Sequence, residues 1–318
     1  SFQGDGSSLT GVGGSTGAFG ISDSSGEYTY YSSLSASMAA AVSGNVVEVF
    51  ANTIVSGSDP LVDTILFKNG VNIFGNGYTY ELNHSSSMAA FADYAAQNTT
   101  TGTDISCSIN EFNIRRISSD ASSKAILINN KTSGKQTSLN LHGSTIYSSE
   151  GITYNASYTY GTVDGGHFSG DTTGTGFQNN ASSADTKPYV KNAHFHFPTG
   201  YSTVEYADNC QFIGETGTYA LNATGRISNC YIYSKGSISA NAGGSNAALL
   251  GCHVENGSSG IAARGFYRIS DSTIISSTGF VVRTFGNANC ELTNNRIYAS
   301  GYVALDQYTS YSTGKHII

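Results

Sequence analysis

Charged side chains, prolines and methionines are scarce in this sequence, and tryptophan is absent. Charged residues make up 12% of the 318 positions, which include 3 Pro, 2 Met and no Trp. Long helices and coiled coils depend on charged, unbranched side chains, and disordered chains are usually rich in Pro and charge. The composition therefore disfavours a helical protein, and the hydrophobic fraction of 39%, spread along the chain, favours a folded chain over a disordered one.

Basic clusters and long apolar runs are also missing. The chain has 15 Lys plus Arg against 22 Asp plus Glu, a formal net charge of −7. A protein that binds nucleic acid usually neutralises several phosphates with a basic patch. No segment approaches the roughly 18 to 20 apolar residues that cross a bilayer. We expect neither nucleic-acid binding nor membrane insertion.

Cysteines are few and lack the spacing of metal sites. The chain has 5 Cys, an odd number, and no Cys-x-x-Cys pair. A disulfide framework or a tetrahedral zinc site is therefore poorly supported. We expect buried free thiols, with no metal and no cofactor.

Strand-forming and turn-forming residues are abundant. There are 38 Gly, 21 Tyr and 15 Phe, and 39% of the residues are hydrophobic. Aromatic residues favour strands and glycines favour turns, so this composition is typical of an all-β protein with many short strands.

One phrase recurs through the second half of the chain: an Asn, Asp or Gly, a small residue, a polar residue and a large apolar residue. It begins at residues 192, 209, 229, 251, 271 and 294, so successive starts differ by 17, 20, 22, 20 and 23 positions. Alternation with period two sends Cys210 and Phe212 inward and Gln211 outward. The leading residue tolerates the left-handed backbone of a tight turn.

A second phrase, glycine followed within two positions by an apolar residue, recurs with the same period as the first. Examples are Gly200-Tyr201, Gly260-Ile261 and Gly279-Phe280. Two phrases in fixed order predict at least two strands per coil, and a period near 20 predicts stacked coils. The sequence thus predicts an all-β fold, a right-handed parallel β-helix, in which Cys210, Cys230 and Cys252 form one interior column.

The N-terminal part has a different pattern. Leu34, Met38, Ala41 and Val42 have helical spacing, and Gly44 is a stop signal. We expect a linker or attachment segment over residues 1–30, a capping helix over 31–44 that covers the open end of the first coil, and the β-helix over 45–318.

Several segments resemble bacteriophage proteins. The opening run Gly4-Asp5-Gly6-Ser7-Ser8-Leu9-Thr10-Gly11-Val12 resembles a linker phrase of phage tail fibres. The segments Val46–Phe50 and Lys68–Gly77 resemble the first coils of pectate-lyase-like β-helices in phage tailspikes. The resemblance implies a homotrimer attached to other virion tail proteins, located extracellularly on the tail appendage. Its lateral surface would bind or cleave bacterial surface polysaccharide.

The phrase alignment also predicts an outward face made of two neighbouring stripes of side chains. Planar rings and amides stack on sugars and hydrogen-bond their hydroxyls, so the face is a candidate glycan surface. The alternatives are a trimer interface and a plain solvated surface. The residues expected to bind ligand or line the trimer face are His167, His194, His196, Gln211, Tyr231, Tyr233, His253, Arg296 and Tyr298.

Candidate catalytic residues are less well defined by the sequence. Glycoside hydrolysis needs two carboxyl groups facing one bond, and the paired-acid signatures of β-helix hydrolases do not match positions of this chain. Asp208 and Asp271 fall at turns, where Asp commonly bonds to backbone. The remaining candidates are Glu255 beside His253, and His253 with Arg264 as the base and charge neutraliser of a lyase.

Two functional hypotheses follow. The first is a non-enzymatic tail fibre or tailspike component that recognises host polysaccharide. The second is a polysaccharide depolymerase, a hydrolase or lyase acting on capsule or O-antigen.

Overall fold

The described part of the chain forms a parallel β-solenoid with one short α-helix. A computed structural model describes residues 17–317 except 24, 57–62, 94–103, 129–136, 151, 157–158, 173, 180–188, 245, 286–289, 301–304 and 309–315. Three sheets, here named A, B and C, run along the solenoid. No helix in the described ranges is long and apolar enough to span a bilayer.

Each coil of the solenoid contributes to the sheets in the order A, B, C. The parallel strands of sheet A are Val46–Val49, Asn72–Phe74, Ile105–Asn110, Thr137–His142, Thr159–Tyr160, Thr162–Asp164, Tyr189–Lys191, Tyr206–Asp208, Arg226–Ser228, Ala248–Leu250, Arg268–Ser270, Cys290–Thr293 and His316–Ile317. Those of sheet B are Thr53–Ser56, Thr79–Asn83, Asn113–Ile117, Thr145–Ser148, His167–Gly170, His194–His196, Gln211–Gly214, Tyr231–Ser234, His253–Asn256, Thr273–Ser276 and Arg296–Ala299. Those of sheet C are Ile65–Leu66, Ala89–Ala92, Lys124–Ile128, Ile152–Ala156, Thr175–Asn179, Tyr201–Val204, Leu221–Ala223, Ile238–Ala242, Ile261–Arg264, Val282–Phe285 and Leu305–Tyr308.

The recurring phrase lies where sheet A turns into sheet B. Its leading residue has a left-handed backbone in six successive coils, with φ between 52° and 63° at Asn192, Asn209, Asn229, Gly251, Asp271 and Asn294. Asn and Asp tolerate this conformation better than other side chains, and glycine has no Cβ to clash. The predicted turn and the β-helix it implies are confirmed.

The interior is filled by columns of apolar side chains, one from each coil. Phe168, Phe195 and Phe212 are fully buried and stack almost parallel, with ring centroids 5.1 and 4.8 Å apart. Phe177 of sheet C packs against Phe195 with a centroid distance of 4.5 Å. Such close packing leaves little space for a smaller side chain without creating a cavity.

The predicted cysteine column is also confirmed. Cys210, Cys230 and Cys252 are buried and free, and the Cys210 amide donates to the Cys230 Sγ at 3.4 Å. Hydrogen bonds from both neighbouring thiols and burial raise the pKa of Cys230. Cys107 and Cys290 are buried free thiols in sheet A.

The N-terminal end of the solenoid is covered by the helix Leu34–Ala40. Ser33 caps it by accepting from the Ala36 amide, and Leu34 and Met38 are buried against the first coil. The capping helix is therefore confirmed, but it is shorter than residues 31–44. It ends before Val42, which is 65% exposed, because the backbone at Ala41 is already extended.

A β-hairpin precedes the capping helix. Phe19–Ser22 and Tyr28–Tyr31 pair antiparallel, and Phe19–Ser22 also pairs antiparallel with Val46–Val49 at the end of sheet A. Phe19 is fully buried. This hairpin protects the edge of the sheet, so Phe19–Ser22 and Tyr28–Tyr31 are part of the solenoid end, and the linker or attachment role expected over 1–30 stays a prediction. Residues 1–16, which include the whole phage-like opening, lie outside the described residues.

Arg116 is a charged residue inside the solenoid. It lies on Asn113–Ile117 with no exposed surface, and its guanidinium donates to the carbonyls of Leu82, His84, Ser86, Met88 and Ile117. Most of these carbonyls belong to the turn that joins sheet B to sheet C. Burial lowers the pKa of Arg116 to about 10, although the charge of Asp120 opposes that shift.

Candidate functional site

Sheet B carries two columns of outward side chains, which we call the sheet B face. In both columns, each residue is the direct partner of the next across parallel strands. The first column is His167, His194, Gln211, Tyr231, His253, Thr273 and Arg296. The second is Ser169, His196, Ile213, Tyr233, Glu255, Ile275 and Tyr298.

These side chains point outward because their neighbours point inward. Residues between the two columns, such as Phe195, Phe212 and Ile232, are fully buried, whereas Gln211 is exposed and Tyr298 is 55% exposed. Strand alternation therefore places every predicted member of the face on one surface. The structure brings all nine predicted ligand or trimer-face residues together on the sheet B face.

Three histidines form the N-terminal part of the predicted face. The Nδ1 atoms of His167 and His194 are 2.8 Å apart, and the rings of His194 and His196 are parallel with centroids 6.4 Å apart. Two neutral imidazoles share one hydrogen bond at the shorter distance, since one nitrogen donates and the other accepts. The described residues contain no group of three or more His, Cys, Asp or Glu with metal-binding geometry.

The surroundings of His167 and His194 favour the neutral form of both imidazole rings. Burial lowers the pKa of His167, and His196 adds to the effect. Burial also lowers the pKa of His194, with His167 and His196 contributing. Protonating one ring of the close pair would place a positive charge in a partly buried site beside the other histidines, and protonating both would leave no acceptor between the two Nδ1 atoms.

We expect the histidine pair to make the protein less stable in mild acid. A histidine in the unfolded chain has a pKa near 6.5, so below that pH the unfolded state binds more protons than the folded state. The associated loss of stability is absent well above pH 6.5 and grows as the pH falls below it. Urea denaturation at pH 7.5 and 5.5 measures the change in the free energy of unfolding.

The matched variant for this measurement is His194→Gln. Glutamine already occupies the equivalent position of the next coil, at Gln211, so the substitution suits the site. The variant should lose less stability between the two pH values than the parent protein. An identical loss in both proteins would contradict a role for the pair.

The middle of the predicted sheet B face has two tyrosines, a histidine and a glutamate. The rings of Tyr231 and Tyr233 are parallel with centroids 6.5 Å apart, and His253 packs on Tyr231 at 5.3 Å. The His253 Nε2 lies 3.6 Å from the Glu255 Oε2. Burial raises the pKa of Tyr231, and Glu255 and Tyr233 raise it further, so its hydroxyl stays protonated and can donate.

The structure separates the proposed lyase pair. His253 lies on sheet B, whereas Arg264 lies at the end of the sheet C strand Ile261–Arg264 and pairs with Asn241. Because the two sheets form different faces of the solenoid, Arg264 does not join His253 on the sheet B face. The structure thus does not bring Arg264 to His253 as expected, whereas it places Glu255 beside His253; a catalytic role for Glu255 and His253 stays a prediction.

Two other acids are structural. Asp208 Oδ1 accepts from Ser228 Oγ at 2.9 Å and from Asn229 Nδ2 at 2.8 Å. Asp271 has a left-handed backbone and accepts from Asn294 Nδ2 at 2.7 Å. These bonds join successive coils at the turn, as the sequence predicts for turn residues.

The sheet B face extends further than the sequence indicates. Tyr147 is the partner of Ser169 in the second column, Arg115 is the partner of Tyr147, and Glu81 is the partner of Arg115. Arg115 pairs with Glu81 at 2.9 Å, and its guanidinium carbon lies 5.6 Å from the Tyr147 ring centre. The alternation of inward and outward side chains within these strands could have identified Glu81, Arg115 and Tyr147. The long connections between the strands, however, obscure the regular spacing of the coils in this part of the sequence.

Comparison with known proteins supports the fold. No family model matches the chain, and no curated protein matches its sequence. Among solved structures it is similar to the mannuronan C-5 epimerase AlgE4 A-module of Azotobacter vinelandii, with 13% identity and a TM-score of 0.55. The match covers 83% of this chain and 89% of that one. At this identity the similarity shows a shared β-helix fold.

Proposed function

We propose that this protein binds a polysaccharide of the bacterial cell surface through the sheet B face, as a component of a phage tail fibre or tailspike. The observation that carries the proposal is the continuous register of sheet B from His167 to Tyr298, in which every coil except that of Thr273 and Ile275 presents a ring, an amide or a guanidinium group. Rings and amides repeat about every 4.8 Å along the solenoid, so an extended sugar chain can contact several coils at once.

Three further points support this proposal. The chain resembles phage tailspikes in its first coils, and the similar epimerase is named for mannuronan, a polysaccharide. Aromatic and amide groups on rigid strands are well suited to sugar recognition, because binding costs them little conformational entropy. In the proposed assembly the chain is a homotrimer on the virion, with its N-terminal end toward other tail proteins.

Replacing Tyr231 and Tyr233 together with alanine should weaken polysaccharide binding about tenfold or more, because their rings are partly buried neighbours at the centre of the face. Titration calorimetry with polysaccharide purified from a susceptible host measures the affinity. Tyr189→Ala is the matched control, since Tyr189 is 38% exposed on sheet A. It should leave the affinity unchanged.

Sedimentation of the same variants separates a glycan surface from an interface between subunits. The double variant should keep the mass of the parent assembly, expected to be three 33.2 kDa chains. A shift to monomer in the Tyr231 and Tyr233 variant, with no loss of sugar binding by the folded chain, would assign the sheet B face to the trimer interface instead.

A depolymerase is the second candidate, and one observation favours it. His253 and Glu255 are 3.6 Å apart beside the protonated hydroxyl of Tyr231, which supplies a base and a proton donor on one surface. Size-exclusion chromatography of the polysaccharide after incubation distinguishes the two functions. Binding with unchanged chain length supports recognition, and the appearance of short oligosaccharides supports cleavage.

A further inference from the structure

A groove lies at the corner where sheet B turns into sheet C. It has a volume of about 560 Å³ and crosses four successive coils, from Thr216 in the first to Phe280 and Arg283 in the last. It is separate from the sheet B face, because its lining comes from the turns after the sheet B strands and from residues of the following sheet C strands.

Stacked glycines shape this corner, and two of them, Gly236 and Gly260, line the groove. A Cβ atom at Gly236 would lie 2.0 Å from the Gly217 carbonyl oxygen, and one at Gly279 would lie 2.1 Å from the Gly260 carbonyl oxygen. These positions therefore tolerate no side chain, since real Cβ atoms do not approach carbonyls so closely. The stacked glycines keep the turns tight and leave the corner concave.

The groove contains two cationic side chains in an acidic protein. Lys235 and Arg283 line it, and none of the described residues in its lining is Asp or Glu. The neighbouring Glu215 points its carboxylate toward His196, with 3.6 Å between Oε1 and Nε2. Because the whole chain has a net charge of −7, this local charge favours an anionic ligand that the rest of the surface repels.

The same lining suits a sugar ring. The Arg283 guanidinium carbon lies 4.4 Å from the centre of the Phe280 ring, so the aromatic side chain and a cation meet at one end. Exposed Ser237 and Ser259 offer hydroxyl groups along the groove. An apolar ring, several hydroxyls and a cation match the apolar face, hydroxyls and carboxylate of an acidic sugar.

We propose that this corner groove binds a carboxylate-bearing sugar of an acidic polysaccharide, with Lys235 pairing with the carboxylate. This inference rests on the proposed polysaccharide-binding function and adds a second contact region and a ligand class to it. The sheet B face would hold the chain along the solenoid, and the groove would select for acidic sugars.

The probe is a hexasaccharide of galacturonic acid, compared with the same hexasaccharide after reduction of its carboxyl groups. The acidic form should bind the parent protein about tenfold more tightly, and Lys235→Gln should remove that preference. Added NaCl should weaken the binding of the acidic hexasaccharide only, because salt screens an exposed ion pair. Ser259→Asp, which places a carboxylate in the groove, should bind the acidic hexasaccharide more weakly than the parent protein does.

Arg226→Gln is the matched control, since it removes one exposed positive charge from sheet A. It should bind both hexasaccharides like the parent protein. Equal binding of the two forms by the parent, failure of the acidic form to bind, or an unchanged preference in Lys235→Gln would overturn the inference. If host polysaccharide still binds and depends on Tyr231 and Tyr233, the proposed function stands even where this inference fails.

Discussion

Replacing Arg116 with methionine is expected to lower the free energy of unfolding by about 3 kcal/mol or more. The guanidinium is fully buried and donates to five backbone carbonyls, four of them in residues 82–88. A thioether cannot donate to these oxygens, so they would lose their partners in a site that excludes water. The turn over residues 84–88 would lose the group that organises it.

Urea denaturation measures the stability of Arg116→Met, and limited proteolysis within residues 84–88 reports on the turn itself. Arg115→Met is a closely matched control. Arg115 is next in sequence but points outward, where it pairs with Glu81 at 2.9 Å. The Arg115 side chain is 48% exposed and that of Glu81 is 14% exposed, so loss of this partly buried ion pair should cost about 1 kcal/mol, well below the cost of Arg116→Met. Similar stabilities for the two variants would refute the role assigned to Arg116.

Phe195→Ala should destabilise the solenoid by about 3 to 5 kcal/mol. Its ring is fully buried between Phe168 and Phe212 and also contacts Phe177, so the substitution removes a ring from the middle of a packed stack. Neighbouring coils are held by hydrogen bonds on both sides of the gap and are poorly placed to close it. The variant should melt at a lower temperature and unfold at a lower urea concentration.

Phe195→Leu keeps part of the buried volume and should cost less stability than Phe195→Ala. Tyr298→Ala removes a similar aromatic ring from an exposed position, where its side chain is 55% accessible, and should change stability by less than about 0.5 kcal/mol. A small effect of Phe195→Ala, comparable to that of Tyr298→Ala, would show that the stack contributes little to stability.

The sheet B face was predictable because it depends on local alternation repeated at a regular interval. The six left-handed turns identify one corner of each coil, and the residues after them occupy equivalent positions on sheet B. Period two then assigns each side chain to the interior or the surface. His194, Tyr231 and His253 could therefore be placed in one column from the sequence.

The N-terminal extension of the face was not predictable by the same method. Arg115 and Tyr147 are partners although they lie 32 positions apart, compared with 20 for Gln211 and Tyr231. Long connections there change the spacing while the strands remain in register. The recurring sequence phrase also does not include the sheet A strands. Many of these strands are only three residues long, such as Ala248–Leu250, so the alternation of their side chains is a weak signal.

The sequence by itself determined the solenoid, the tight turns and the alternation of side chains between core and sheet B face. These features follow from backbone preferences and strand geometry over four or five residues. Only the tertiary structure decided that Arg264 lies apart from His253, that Arg116 holds a distant turn, and that Lys235 and Phe280 share a groove. Those relations depend on how turns of different lengths stack at the corners, where residues from several coils meet without a local pattern to mark them.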